Sequence, residues 1–222
     1  MYQKSDIQIL IATMNRTDFD FLKAMFVFSD FSMFNLLIIN QTSSDKQLKS
    51  DFENVKVINS LDKGLSKSRN LAIENANQSL LILTDDDVVF QPGFELHVLK
   101  AFNTDDSHDG FRFEFLNGKG NFAKKYPKHF EEKLSQLEIL NTSSVELVLK
   151  RESIQRVSLK FDENFGLGTN FSMGEEAIFV SDAIKKGLKI GFVPEVLVVH
   201  SHLSTSQRTS VSMQYFIHSA VF

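Results

Sequence analysis

The 222-residue chain has no cysteine, which excludes disulfides, thiolate-held metals and cysteine nucleophiles at one stroke. That composition fits a reducing compartment. Tryptophan is also missing, while phenylalanine is abundant at 22. Phe adds core volume without a polar atom to satisfy, so the excess reads as core packing. A surplus of positive charge is absent too: 24 Lys and Arg stand against 28 Asp and Glu, a net charge of −4. Binding nucleic acid by phosphate neutralisation needs the opposite balance, so no nucleic-acid partner is expected. No apolar run approaches the length of a membrane span. The polar opening Met1-Tyr2-Gln3-Lys4-Ser5-Asp6 lacks the apolar core of a signal peptide. A cytoplasmic protein is expected.

What is present suits one sizeable α/β domain: 42% hydrophobic and 23% charged residues are ordinary for a soluble globular chain. Residues 7–12, 34–39, 55–58 and 80–83 are short apolar runs that read as buried parallel strands. Between them, helices are expected over residues 18–28 with Thr17 as cap, over 64–76 with Leu65, Leu71, Ile73 and Ala76 as the buried positions, and after Pro92-Gly93 to about Phe102. Alternation of strands and helices predicts an open, mainly parallel sheet covered on both faces. The second half is more mixed. Phe111, Phe113 and Phe115 alternate with Arg112 and Glu114, the pattern of a strand with one buried face. Residues 124–135 read as an exposed loop and helix, 145–149 as a strand, 161–173 as a long irregular segment, and 175–186 as a helix ended by Gly187. Two short strands, 190–193 and 196–199, are expected around Pro194. There is no internal repeat or low-complexity linker, so one domain over residues 1–222 is expected.

Ligands of open α/β sheets bind beyond the carboxyl ends of the strands. Three polar clusters fall there: residues 13–16, 40–44 and 85–87. Asp85-Asp86-Asp87 would repel one another at a buried strand end, and a divalent cation such as Mg²⁺ or Mn²⁺ would relieve that; a solvated turn with Asp caps is the other reading. Gly64 opens a helix whose N-terminal N–H groups and dipole, with Lys63, Lys67 and Arg69 nearby, suit a diphosphate, although an ordinary capped helix has the same make-up. Glu175 and Glu176 begin a later helix, where acidic residues are favoured by the dipole alone or supply a general base. His200 ends the last short strand and is a candidate metal ligand beside the carboxylates.

Taken in order, these motifs resemble glycosyltransferase family 2, the inverting enzymes of the GT-A fold, from about Ile7 to His202. Residues 11–16 are similar to the family's opening strand and nucleotide loop, Gly64-Leu65-Ser66-Lys67-Ser68-Arg69-Asn70 to its Gly-Leu-Ser-x-x-Arg-Asn helix start, and Asp85-Asp86-Asp87 to its Asp-x-Asp motif. Residues 161–165 with Gly174-Glu175-Glu176 resemble the acceptor loop and acidic helix start, and 194–200 the closing strand. Asn40 stands where the family usually has a base-contacting Asp, and Glu175-Glu176 where it usually has Glu-Asp.

The resemblance implies a GT-A (Rossmann-like) three-layer α/β/α sandwich with a mainly parallel sheet. Residues 1–103 would form the nucleotide-sugar-binding half and 104–222 the acceptor-binding half. Thr13, Asn15, Arg16, Asn40, Lys63, Gly64, Arg69, Asp85 and Asp86 would bind the donor, a UDP-sugar. Asp87, Asp85 and His200 would hold Mn²⁺ or Mg²⁺, and Glu176, with Glu175 as the other choice, would be the catalytic base. The acceptor would be a saccharide or lipid-linked saccharide, in bacterial surface polysaccharide synthesis. The rival readings are a sugar nucleotidyltransferase, for which residues 13–16 lack the Gly-rich loop, and a catalytically degenerate binder. Near the end, Met213, Phe216, Ile217, Ala220 and Val221 form one helical stripe. It either completes the core or covers the acceptor side, another chain or the inner face of a membrane.

Overall fold

The computed structural model describes residues 1–169 and 171–200. In chain order they form β1 (Ile7–Met14), α1 (Asp20–Met25), β2 (Asn35–Gln41), β3 (Val55–Ser60), α2 (Leu65–Asn75), β4 (Leu80–Asp85), β5 (Val88–Phe90), α3 (Phe94–Thr104), β6 (Gly110–Asn117), α4 (Gln136–Leu140), β7 (Leu147–Lys150), α5 (Arg151–Arg156), α6 (Glu175–Lys185) and β8 (Ile190–His200). The strands build one eight-stranded sheet in the order β3-β2-β1-β4-β7-β6-β8-β5. Strands β3, β2, β1 and β4 run parallel, as do β6 and β8. Among the described strands, β7, between β4 and β6, and β5, on β8, pair antiparallel.

Alternate residues of each apolar run serve opposite faces. Ile7, Ile9, Ile11, Leu36 and Ile38 pack with α1 and α3. Leu10, Leu37, Ile39, Leu81 and Leu83 pack with α2, α4, α5 and α6. The result is the expected α/β/α sandwich with a mainly parallel sheet. The Phe excess is largely core: Phe26, Phe34, Phe90 and Phe94 form a ring cluster with centroids 4.5–5.4 Å apart. Each such buried side chain contributes about 1.5–3 kcal/mol. No helix among the described residues is long and apolar enough to cross a membrane. The apolar stripe from Met213 to Val221 lies outside the described residues.

Several local expectations are corrected. The first helix starts at Asp20, not after Thr17; its N-cap is Phe19, without a side-chain cap bond, and Asp18 Oδ1 accepts from the Asp20 N–H at 3.0 Å. The buried side of α2 is polar: Ser66, Ser68, Arg69 and Asn70 are buried with Ala72 and Ile73, whereas Leu65 and Leu71 are half-buried. Strand β6 is buried on both faces, because Arg112 and Glu114 are covered as well as the Phe side chains that alternate with them. Residues 124–135 form no helix; Glu131 instead pairs its backbone with Phe192 (2.8 and 3.1 Å). The two strands expected around Pro194 are one, β8, whose pairing with β6 shifts register between Phe192 and Val196 and so absorbs the missing N–H. Strand β5 and helix α5 were not legible. Gly187 does end α6, at φ 86.

Candidate functional site

The register of the parallel strands brings the polar clusters together. Thr13 lies beside Asn40 across β1–β2, and Ala12 beside Asp85 across β1–β4. All three strand ends therefore open on one edge of the sheet, where a cavity of about 1190 Å³ lies. That exceeds the roughly 300–1,000 Å³ usual for a single small-ligand site. Of the residues expected at the site, Thr13, Lys63, Gly64, Arg69, Asp85, Asp86, Asp87, Glu175, Glu176 and His200 line the cavity. Asn15, Arg16 and Asn40 do not.

Asn40 is 0% exposed, and its amide is committed to the protein. The oxygen accepts from the Arg16 N–H at 3.0 Å, while the nitrogen donates to the Arg16 carbonyl and to Asn59 Oδ1, both at 2.9 Å. It therefore shapes the loop after β1, in which Asn15 takes a left-handed φ of 55. The Arg16 side chain donates to Asp86 Oδ2 through Nε at 2.8 Å and Nη2 at 2.6 Å, and the Thr13 hydroxyl donates to the same oxygen. The middle Asp of the triplet is thus a clamp between the loops after β1 and β4.

The start of α2 is less open than its sequence implies. The Gly64 N–H donates to Gln41 Oε1 at 2.8 Å, and the Leu65 N–H to the Leu167 carbonyl at 3.0 Å. The stretch from Phe161 to Gly168 docks here. Gly168, at φ 86, comes so close to Gly64 that an added Cβ would stand 3.4 Å from the Gly64 Cα. Ser66 Oγ donates to the Phe165 carbonyl at 2.6 Å, and Asn70 bonds both backbone groups of Phe161.

The floor of the cavity is a cluster of charges. The guanidinium of Arg69, 3% exposed, meets Asp85 at 3.2 Å, Glu175 at 3.3 Å and Glu176 at 3.1 Å. Burial raises the Asp85 carboxyl above its usual value, with Arg69 opposing and Glu176 and Asp87 adding to the rise. Burial likewise raises Glu175 to about 8, with the charge of Glu176 adding to it. The two helix-start acids differ in access: the Glu175 side chain is 5% exposed and that of Glu176 19%. His200 Nε2 lies 3.1 Å from Asp87 Oδ1. Burial opposes the imidazolium, but the hydrogen bond and charge of Asp87 raise the His200 pKa overall. No three or more His, Asp or Glu side chains among the described residues are grouped to hold a metal as they stand.

A second wall of the cavity was not read from the sequence. Lys124, Ser143 and Ser144 line it. Behind them, Glu146, 0% exposed, accepts from Lys124 Nζ at 2.8 Å, Tyr126 Oη at 2.9 Å and the Ser143 N–H at 2.7 Å, and pairs with Arg112 Nε at 3.0 Å. Burial lowers the Lys124 pKa, with Glu146 opposing. No local pattern signals these partners, which come from three separate stretches of chain.

A mainly parallel sheet with acidic residues at a central strand end, joined to an acidic helix start beside a wide cavity, defines the GT-A class of α/β domain. The family model described as glycosyl transferase family 2 matches residues 9–178, and the chain belongs to that family. It is similar in fold to S. aureus TarS. Against the crystal structure of TarS 1–349 in complex with UDP-GlcNAc the TM-score is 0.67 at 16% identity, covering 97% of this chain and 65% of that one. Against the complex with UDP the values are 0.64, 17%, 97% and 64%. Against the longer TarS structure they are 0.64, 15%, 97% and 38%. The chain thus spans less than two thirds of each of these structures. None of the curated proteins matches its sequence.

Proposed function

We propose that the chain transfers a sugar from a nucleoside diphosphate sugar, a UDP-sugar, to an acceptor hydroxyl with inversion at the sugar carbon. The observation that carries this reading is the pairing of Glu176, open to the cavity, with the Asp85 to Asp87 strand end on the same guanidinium. Glu176 would accept the proton of the attacking hydroxyl, and the bond from the sugar carbon to the diphosphate would break on the opposite face. Glu175 is the less accessible of the two glutamates, its side chain 5% exposed against 19% for Glu176. The cavity is large enough for donor and acceptor together. The likeness to TarS, whose structures contain UDP-GlcNAc and UDP, favours a uridine donor. The acceptor would be a saccharide or lipid-linked saccharide, as in surface polysaccharide synthesis.

Asp85, Asp87 and His200 would hold a divalent cation. Their carboxylates and imidazole suit Mg²⁺ or Mn²⁺, and a cation there would offset the burial, and the charges of Glu176 and Asp87, that raise Asp85. When bound, such an ion supplies positive charge for the departing diphosphate. Thermal shift with UDP tests this, since a ligand of the folded state raises Tm. UDP should stabilise the protein with Mn²⁺ and much less without it, and Asp87→Ala should lose the difference. An equal UDP shift with and without Mn²⁺ would remove the metal, and no shift with any nucleoside diphosphate would remove the donor.

A further inference from the structure

Arg69 reaches from α2 across the end of β4 to the start of α6, and both of its Nη groups bond protein side chains. Nη2 donates to Ser144 Oγ at 2.7 Å and to Asp85 Oδ1 at 3.2 Å. Nη1 donates to Glu176 Oε1 at 3.1 Å and to Glu175 Oε1 at 3.3 Å. The flat of the group lies over the Phe161 ring, 5.5 Å from its centroid, and Phe161 is itself stacked on Phe179 at 4.0 Å. The group is held in its plane by hydrogen bonds and from one side by an aromatic surface. The side chain is 3% exposed; both Nη groups are taken up by protein side chains, while Nε has no hydrogen-bond partner.

From this geometry we infer that Arg69 is a positioning residue: one rigid guanidinium fixes the distance and direction of Glu176 relative to Asp85. The inference rests on the transferase reading above. A planar fork presents its donors in fixed directions, so two carboxylates bound to its two ends cannot move independently. A lysine carries the same charge as a point and cannot span both. One cation also faces three carboxylates. Of the three, Glu175 is the most deeply enclosed, its side chain 5% exposed against 19% for Glu176 and 29% for Asp85. The two helix-start acids thereby take different roles. Glu175 packs behind the guanidinium, and Glu176 is held at its edge and open to the cavity. Displacing a reacting group by about 1 Å costs on the order of 10²-fold in rate, so the effect of losing this brace is large without any contact to substrate.

The test compares wild type, Arg69→Lys, Glu176→Gln and the double variant, by UDP release from UDP-GlcNAc and by UDP binding. Arg69→Lys should lower kcat by about 10²-fold with UDP affinity little changed. The double variant should be no slower than Glu176→Gln alone, because a brace has no effect once the group it holds is gone. Losses that multiply in the double variant, or a fall in UDP binding that matches the fall in turnover, would overturn the inference. Should Arg69→Lys fail to fold, Ser144→Ala removes one acceptor from Nη2 and leaves every charge; it should slow turnover less, again with no further loss on top of Glu176→Gln. If wild type released no UDP from any nucleotide sugar, the transferase reading would fall and this inference with it. Turnover in wild type with multiplying losses would sink the inference alone.

Discussion

On the cavity wall built from β1, β2 and β4, the charged clamp is partly wet: Arg16 and Asp86, 2.6 Å apart, are 41% and 21% exposed. On the second wall, Arg112 and Glu146, 3.0 Å apart, are 1% and 0% exposed, with Lys124 at 17%. The contacts look alike by distance alone, but the dielectric around them differs. In water, charges lose little when a partner is removed, because solvent replaces it. In a dry interior the remaining charge keeps its desolvation penalty and loses its compensation. The second wall should therefore be the fragile one. Its acid is also held below the usual carboxylate range: burial works against the charge, and Lys124 and Arg112 more than offset it.

The largest expected effect follows. Glu146→Gln keeps the shape but takes the buried anion from Lys124 and leaves Arg112 only Glu138, 3.8 Å away, which should cost about 3–5 kcal/mol, read by denaturant unfolding. A loss under about 1 kcal/mol would mean that water reaches this wall and that the contrast is false.

Next in size is a loss of rate with stability preserved. Glu176→Gln should slow sugar transfer by about 10²-fold or more, the usual contribution of a general base, with UDP binding nearly unchanged. A larger loss in Glu175→Gln than in Glu176→Gln would reverse the assignment of the two acids, and lost UDP binding would move Glu176 to a structural role.

The two walls were unequally legible in the sequence. The first consists of strand ends, and a parallel strand buried on both faces betrays itself as an apolar run ending in polar residues, as Leu80 to Asp85 does. The acidic triplet, the Gly64 helix start and the acidic start of α6 are each local, so order along the chain sufficed to bring them together. The second wall depends on pairs far apart in sequence. Arg112 reads as the exposed side of an alternating strand until Glu146 is brought beside it. Lys124 reads as a solvated charge until Glu146 and Ser143 enclose it. The polar face of α2 was missed for the same reason: Ser66 and Asn70 bond the segment around Phe161 to Phe165, more than ninety residues on. Periodicity assigns polar residues to water, and it fails where a distant backbone takes water's part.

A third effect sits between the walls and varies with pH. Below about 4.5, the ordinary value, both folded and unfolded chains carry the Glu175 proton, and the residue adds no pH dependence. Between 4.5 and about 8 the fold holds a proton that the unfolded chain has released, so rising pH works against the fold. Above about 8 both are ionised and the penalty is constant. Glu175→Gln removes the titration. Its Tm relative to wild type should climb across that window, by at least about 2–4 °C, the equivalent of about 1 kcal/mol in a chain of this size. A difference independent of pH would mean that Arg69 keeps Glu175 ionised in the fold.

The smallest effect is expected at the wet clamp. Asp86→Asn leaves an amide oxygen for the Thr13 hydroxyl and for Arg16, and removes only the charge. With Arg16 41% exposed, water solvates the released guanidinium. The stability loss should stay under about 1 kcal/mol and should shrink further at high salt, where exposed charges are screened. The Glu146→Gln loss, arising in a dry site, should persist at the same salt. That difference in salt response is the sharpest form of the contrast, because it does not depend on the size of either effect. Equal persistence in both variants would mean that the loop after β1 closes over Asp86 in solution and that the two walls are held alike.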